Sequence, residues 1–261
     1  MTSKIAVIGF GNIAKAIITP LFEKKLLNPK DVYCLVNIIK SYKYDINVFQ
    51  ANTKGSEIIR DCKVKLLSVK PQQLKNIIEL GGGNNNLLVS ILAGVSLEKL
   101  IKRFPNHKCV RVVTNIPIII GKGSTGISWG DEITEDQKQF TRRLFENTSK
   151  IYEFPEDLLD IFLSVTSSGP AIIALIIEAL SDGGLSGGLP KKLSEELVME
   201  MMLGTVSLIK ETNLTTAEIK NMVTSPGGTT ISALRVLEDR SLRSALIEAV
   251  VSASNRSKEF R

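Results

Sequence analysis

The sequence predicts an α/β protein in which an N-terminal doubly wound parallel sheet is followed by an all-helical C-terminal half. Three observations predict it. Up to residue 155, short β-branched runs alternate with amphipathic stretches, the pattern of parallel strands joined by crossover helices. From 156 onward those runs stop, and apolar residues recur at helical spacing. Between the first run and the first amphipathic stretch lies GFGNIA, at 9–14. The expected domains are therefore 1–155 and 156–261.

The strands are expected at KIAVIG (4–9), DVYCLVN (31–37), VKLLSVK (64–70), LLVSILAG (87–94), CVRVVTN (109–115) and KIYEF (150–154). Each is almost continuously apolar, as a strand covered on both faces must be. Helices are expected between them at 12–25, 71–80 and 135–148. About ten residues separate the second strand from NVFQAN, no more than the ~10–12 of a helical crossover. The helix after strand two is therefore shortened or absent. The second half reads as helices over 157–166, 170–182, 190–211, 215–222, 229–238 and 241–259, broken by GG, GLP, N and PGG. VMEMMLGTVSLI (198–209) is apolar around much of its circumference and must be covered on more than one side. No flexible linker divides the halves, so a cleft between them is the expected place for a site.

At 261 residues, 43% hydrophobic and 23% charged, the chain has a globular composition with room for two domains. The net charge of +6 is spread along it, and aromatic residues make up only 5%, which argues against nucleic acid as a partner. The longest apolar run, AIIALIIEAL, carries Glu178 and falls short of the ~20 residues of a membrane helix. MTSK runs straight into a strand without the build of a secretory signal. Cys34, Cys62 and Cys109 have no metal or redox spacing. A cytoplasmic protein with no membrane partner and no metal is expected. The single histidine, His107, sits in FPNHK and reads as a solvated turn.

GFGNIA has the form G-x-G-x-x-A at a strand–helix junction. Gly9 permits a tight turn, Gly11 lets backbone approach a pyrophosphate, and Ala14 allows the helix to pack on the sheet. Phe10, Asn12 and Ile13 complete the loop, whose amides and helix start attract phosphate. A dinucleotide cofactor follows. At the end of strand two stand Asn37 and Lys40 rather than an acid; an amide with cations suits a 2′-phosphate, so NADPH is expected, with NADH possible. Val69, Lys70 and Pro71, then Ala93 and Gly94, then Asn115 end the next strands, on the same cofactor edge.

A second glycine-bearing helix start lies far along the chain, at TSPGGTT (224–230). A helix's first amides have no partner within it and favour an anion for the reason phosphate does. A plain N-cap needs one Ser or Thr, whereas this run supplies Ser225, Gly227, Gly228, Thr229 and Thr230. Ser168, in TSSGPA, is either part of a site floor or an ordinary helix start with Pro170 in its first turn.

SVKP, AGV, TNIP, TSSGPA, GLP and above all TSPGGTTISALRVLE together resemble the Δ1-pyrroline-5-carboxylate reductase family, essentially from end to end. The resemblance implies a Rossmann domain followed by a helical dimerisation domain that interlocks with a second copy, in some members within a larger ring. It implies reduction of 1-pyrroline-5-carboxylate to L-proline with NADPH or NADH. It places the substrate's carboxylate and ring nitrogen on the Gly227–Thr230 stretch, with the Thr230 hydroxyl at the nitrogen. The chain departs from the family pattern S-G-S-G-P-A-Y at Ser167 and Ile172, from N-T-P at Ile116, and from E-T-G-E-H-P in ETNLTT (211–216). Two other readings stay open: an NADP-dependent imine or β-hydroxyacid reductase, and a dinucleotide-binding regulator without catalysis. Glu178 without a lysine in AIIALIIEAL counts against the former, and TSPGGTT counts against the latter.

Overall fold

The computed structural model describes residues 4–51, 53–77, 80–83 and 85–259. One sheet contains β1 (Ile5–Ile8), β2 (Val32–Val36), β3 (Asn47–Gln50), β4 (Val64–Leu67), β5 (Asn86–Ser90), β6 (His107–Thr114), β7 (Gly123–Trp129) and β8 (Ser149–Glu153). Their order is β3-β2-β1-β4-β5-β6-β7-β8. The helices are α1 (Asn12–Glu23), α2 (Thr53–Ile58), α3 (Leu97–Arg103), α4 (Glu135–Phe145), α5 (Leu159–Thr166), α6 (Gly169–Ser186), α7 (Lys191–Thr212), α8 (Thr216–Met222), α9 (Thr229–Asp239) and α10 (Leu242–Lys258). The chain divides into two compact units, 1–168 with 252–261, and 169–251.

In the sheet unit, the pleat sends alternate residues to opposite faces. Ile5 and Val7 join Ile17, Ile18 and Phe22 of α1 and Phe145 of α4 in one core. Ala6 and Ile8 join Leu97 and Leu100 of α3 in the other. Each fully buried Ile or Leu contributes roughly 1.5–3 kcal/mol, and this two-sided burial is what makes the strands read as unbroken apolar runs.

Four features depart from the expectation. First, the sheet is not wholly parallel, because β7 runs antiparallel to β6 and parallel to β8. GSTGISW carries little apolar bulk because Gly126 leaves room for Phe162; an added Cβ would stand 2.8 Å from that ring. Second, the segment after β2 forms no helix, as its length predicts, but it leads directly to a strand that was not expected, β3, which pairs parallel with β2. Tyr42, 5.2 Å from Phe10, and Tyr44, 5.0 Å from Phe22, hold it to the β1–α1 loop and to α1. Third, the stretch expected as a helix over 71–80 is a 3-10 turn, Pro71–Asn76; residues 78 and 79 lie outside the described residues.

Fourth, His107 is not a solvated turn. It opens β6, is only 9% exposed, and stands edge-on to Phe104 at 6.2 Å. Burial, reinforced by the nearby Lys65 ammonium, pushes its pKa down to about 4. The turn residues before it are polar, but the strand's hydrogen bonding carries the ring inward.

Arg111, inside β6, is fully buried and was not singled out by its local sequence. It donates to Glu156 Oε1 and Asp160 Oδ1, both at 2.9 Å. Glu156 also accepts from the Leu97 amide (2.7 Å), and Ser257 donates to Asp160 Oδ1 (3.0 Å). This network ties α5 and the end of α10 to the sheet, which is why 156–168 and 252–259 group with it.

The helical unit is built around a hairpin of α6 and α7. Its turn, GLP at 188–190, uses Gly188 at φ +99° and a Leu189 amide bonded to Gly184 O at 3.1 Å, with Pro190 capping α7. Ser194 donates to Ser181 O at 2.7 Å across the hairpin. The segment 156–186 has a window of mean hydropathy 1.8 that is only 11% buried, and so meets the length and composition of a membrane span. It is two helices, α5 and α6, meeting at Ser167 and Ser168.

Candidate active site

The sheet unit carries one candidate site. Gly9 ends β1 with φ +88°, and an added Cβ would lie 2.6 Å from Ser68 O. Both the left-handed backbone and the contact with the chain after β4 therefore demand glycine. Gly11 differs: a Cβ there meets nothing within 4 Å, and nothing in the chain requires its absence. Glycine at such an exposed point leaves room for a group from outside. α1 begins directly after it without a side-chain cap and without an acid in its first turn. The amides of Asn12, Ile13 and Ala14 precede its first helical bond, from Lys15 N to Gly11 O at 2.9 Å. Open backbone and uncapped donors fit a pyrophosphate.

β1, β2, β4, β5 and β6 are parallel. Asn37, the Val69–Lys70–Pro71 run, Ala93–Gly94 and Asn115 therefore all stand at the same carboxyl edge as Gly9, where open α/β sheets bind ligands. Asn37, Lys40, Lys70 and Ala93 are exposed there. Phe10 and Ala14 are not: their side chains are core, at 8% and 0% exposure, so Phe10 offers only backbone.

The Asn115 side chain is likewise engaged internally. Its Nδ2 donates to Thr166 O (3.0 Å) and its Oδ1 accepts from Ser124 N (2.8 Å). Ser168 belongs to the same unit, half-buried just past the end of α5.

The helical unit carries a second candidate site. Gly227 adopts φ +68° with open space where a Cβ would be, and Gly228 caps α9 with no side-chain hydrogen bond and no acid in the first turn. The Gly228 amide is spent on Ser225 O (3.1 Å), and the first helical bond is Ser232 N to Gly228 O (3.3 Å). The donors left at this entrance are the amides of Thr229, Thr230 and Ile231, not that of Gly228. Among the described residues, neither the Thr229 nor the Thr230 hydroxyl makes a hydrogen bond, whereas Thr224 Oγ1 is spent on Lys220 O. The sequence could not show which hydroxyls the fold consumes.

Taken separately, a nucleotide-shaped edge on an α/β unit and an anion-shaped helix start on an α-helical unit define a class, the pyridine-nucleotide-dependent reductases with two-part chains. Comparison with known proteins narrows the class. The family described as pyrroline-5-carboxylate reductase dimerisation matches residues 156–260, and that described as NADP oxidoreductase coenzyme F420-dependent matches residues 4–94. A Synechocystis pyrroline-5-carboxylate reductase is 39% identical over 100% of this chain and 99% of its own, and one from Thermus thermophilus is 31% identical over 98% of each. Among solved structures, the Plasmodium falciparum pyrroline carboxylate reductase with NADP bound has a TM-score of 0.88 and 27% identity, covering 99% of this chain and 98% of that one. The Coxiella burnetii pyrroline-5-carboxylate reductase has 0.85 and 30%, covering 100% and 99%. The chain belongs to the pyrroline-5-carboxylate reductase family.

Proposed function

We propose that this chain reduces the C=N bond of 1-pyrroline-5-carboxylate to give L-proline, the last step of proline biosynthesis, with NADPH as hydride donor and NADH as its substitute. The observation that carries the reading in the molecule itself is the start of α9: three helix amides without a capping side chain, beside two threonine hydroxyls that the fold does not consume. The amides of Thr229, Thr230 and Ile231 take the substrate carboxylate, and the Thr230 hydroxyl hydrogen-bonds the ring nitrogen. The nucleotide supplies the hydride. Hydride adds to the carbon of the protonated imine, the C=N π pair moves onto nitrogen, and the product is the neutral secondary amine, which then takes a proton from water. Positive charge on that nitrogen makes its carbon the better acceptor, so no dedicated histidine is required; His107, buried in the sheet, has no part in it.

The domain roles follow: dinucleotide binding over 1–155, substrate binding and dimerisation over 156–261. α7 exposes Leu197, Met199, Met201, Leu203 and Val206, with Leu203 61% exposed. So much exposed apolar surface marks a region of interaction, and a second copy of this chain is its partner, in a dimer or a ring of dimers. The three cysteines are free and buried, in keeping with a reducing cytoplasm.

Thr230→Ala tests the reading. Turnover with 1-pyrroline-5-carboxylate should fall by about 10²-fold, as when a group that orients the reacting bond is lost, while NADPH affinity measured by fluorescence titration stays within twofold. Unchanged turnover would remove Thr230 from the mechanism.

A further inference from the structure

Two adjacent serines end α5, and the fold uses them differently. Ser167 Oγ donates to Thr114 O at 3.0 Å, while the Ser168 hydroxyl makes no hydrogen bond among the described residues. The backbone of this break is held at its near side by Ser167 N and Ser168 N, both bonded to Leu163 O at 2.7 and 3.2 Å. On the far side Gly169 and Pro170 start α6. The hydroxyl of Ser168 therefore points wherever the break is set.

Two bonds set it against the end of β6. One is Ser167 to Thr114 O. The other is Asn115 Nδ2 to Thr166 O at 3.0 Å, from a side chain only 8% exposed whose Oδ1 is pinned by Ser124 N. Neighbouring Thr114 Oγ1 and Thr125 Oγ1 lie 2.9 Å apart, so the anchor is braced by both β6 and β7. Three consecutive residues, Thr166 to Ser168, are thus registered on the carboxyl edge of the sheet, which also carries Gly9 and Ala93.

We propose that Ser167 and Asn115 are positioning residues for the reductase reaction: together they fix the Ser168 hydroxyl at the nucleotide edge, and of these three only Ser168 touches the reactants. The assignment rests on the reading of the chain as a pyrroline-5-carboxylate reductase. It gives Asn115 a role other than cofactor contact. It also gives the serine at 167, where the family motif has glycine, a task of its own.

A double-variant cycle on the full chain tests it, with kcat and both KM values measured with 1-pyrroline-5-carboxylate and NADPH. Ser167→Ala should lower kcat about fivefold, since small displacements of a reacting group are costly, with NADPH affinity and Tm close to wild type. Ser167→Thr, which keeps the hydroxyl, should restore it. In a Ser168→Ala background, Ser167→Ala should cost nothing further, a coupling that a purely structural serine would not show.

Asn115→Asp keeps the acceptor for Ser124 N but loses the donor to Thr166 O, and should show the same coupling should Ser167→Ala fold poorly. Equal losses in both backgrounds, or no loss of kcat in Ser167→Ala, overturn the clamp while leaving the reductase reading intact. A wild-type chain that does not oxidise NADPH with this substrate removes both.

Discussion

The sheet unit and the helical unit spend their apolar residues in opposite ways. In the first, strand after strand is covered on both faces, and Ile17, Ile18, Leu66, Leu88 and Val112 have no exposure at all. In the second, the residues that are buried are serines, Ser181 and Ser194, while Leu175, Leu203 and Ile247 are 65%, 61% and 59% exposed. The hydrophobic effect does not leave such helices in water by preference. One unit closes its core within the chain. The other leaves its apolar faces uncovered, as fits the dimerisation family that matches residues 156–260.

The largest expected effect breaks that difference directly. Leu203→Glu would place a carboxylate in the face proposed to meet a second copy, at about 4 kcal/mol or more for each copy. The oligomer should dissociate in light-scattering chromatography, and turnover should fall with it. Trp129, the only tryptophan, lies on β7 in the sheet unit, so its fluorescence should report an intact sheet in the same variant. A monomeric wild type with full activity would end the comparison.

Next in size is a contrast inside the sheet unit. Gly9→Val forces a branched side chain into φ +88° and against Ser68 O, which should cost about 3–5 kcal/mol of stability. Gly11→Val meets no atom of the chain. It should leave Tm nearly unchanged and weaken NADPH by at least about tenfold, since the backbone can no longer approach a pyrophosphate. Calorimetry beside nucleotide titration separates the two. Equal stability losses would mean that Gly11 serves the fold.

Acid should then distinguish the units. His107 is held near pKa 4 by burial and by Lys65, below its usual ~6.5. A histidine with a depressed folded pKa favours the native state fully above its unfolded value, and that advantage is lost as pH falls from about 6.5 to 4, up to roughly 3 kcal/mol. Denaturant midpoints followed by Trp129 fluorescence should fall through this window, and His107→Phe should flatten the slope. A slope unchanged in His107→Phe would assign it to the carboxylates instead.

The same division decides how much was legible in the sequence. Periodicity carried the first helix, α4, the helices after residue 156 and the central strands, because an element buried on one stripe or on both faces writes its burial into its own residues; it misread 71–80 and missed the short α2 and α3. β7 escaped because its packing depends on what Gly126 lacks, and β3 because it follows a connection too short for the usual helix. His107 and Arg111 escaped for a different reason: their neighbours, Lys65 and the pair Glu156 and Asp160, come from distant parts of the chain. At the site, GFGNIA and TSPGGTT were visible because open amides need glycine and small residues locally. Whether Asn115 or the Gly228 amide remained available was not visible, since each is spent on a bond made only in the folded chain.

The smallest expected effect lies where the connection after β2 has lost its helix. Lys40 is exposed there and makes no ion pair among the described residues, whereas Lys43 lies 4.0 Å from Glu23 and over the Tyr44 ring at 5.2 Å. Asn37 ends the strand without an acid that would repel a 2′-phosphate. If Lys40 pairs with that phosphate, the pair is solvent-exposed and contributes about 0.2–1 kcal/mol. Lys40→Ala should then weaken NADPH by at most about fivefold and leave NADH unchanged, with the difference shrinking as salt is raised. Lys43→Ala, already engaged elsewhere, should not discriminate between the two nucleotides. Equal losses for NADPH and NADH in Lys40→Ala would refute its role, and would place any preference for the phosphorylated nucleotide on Asn37 and the backbone beside it.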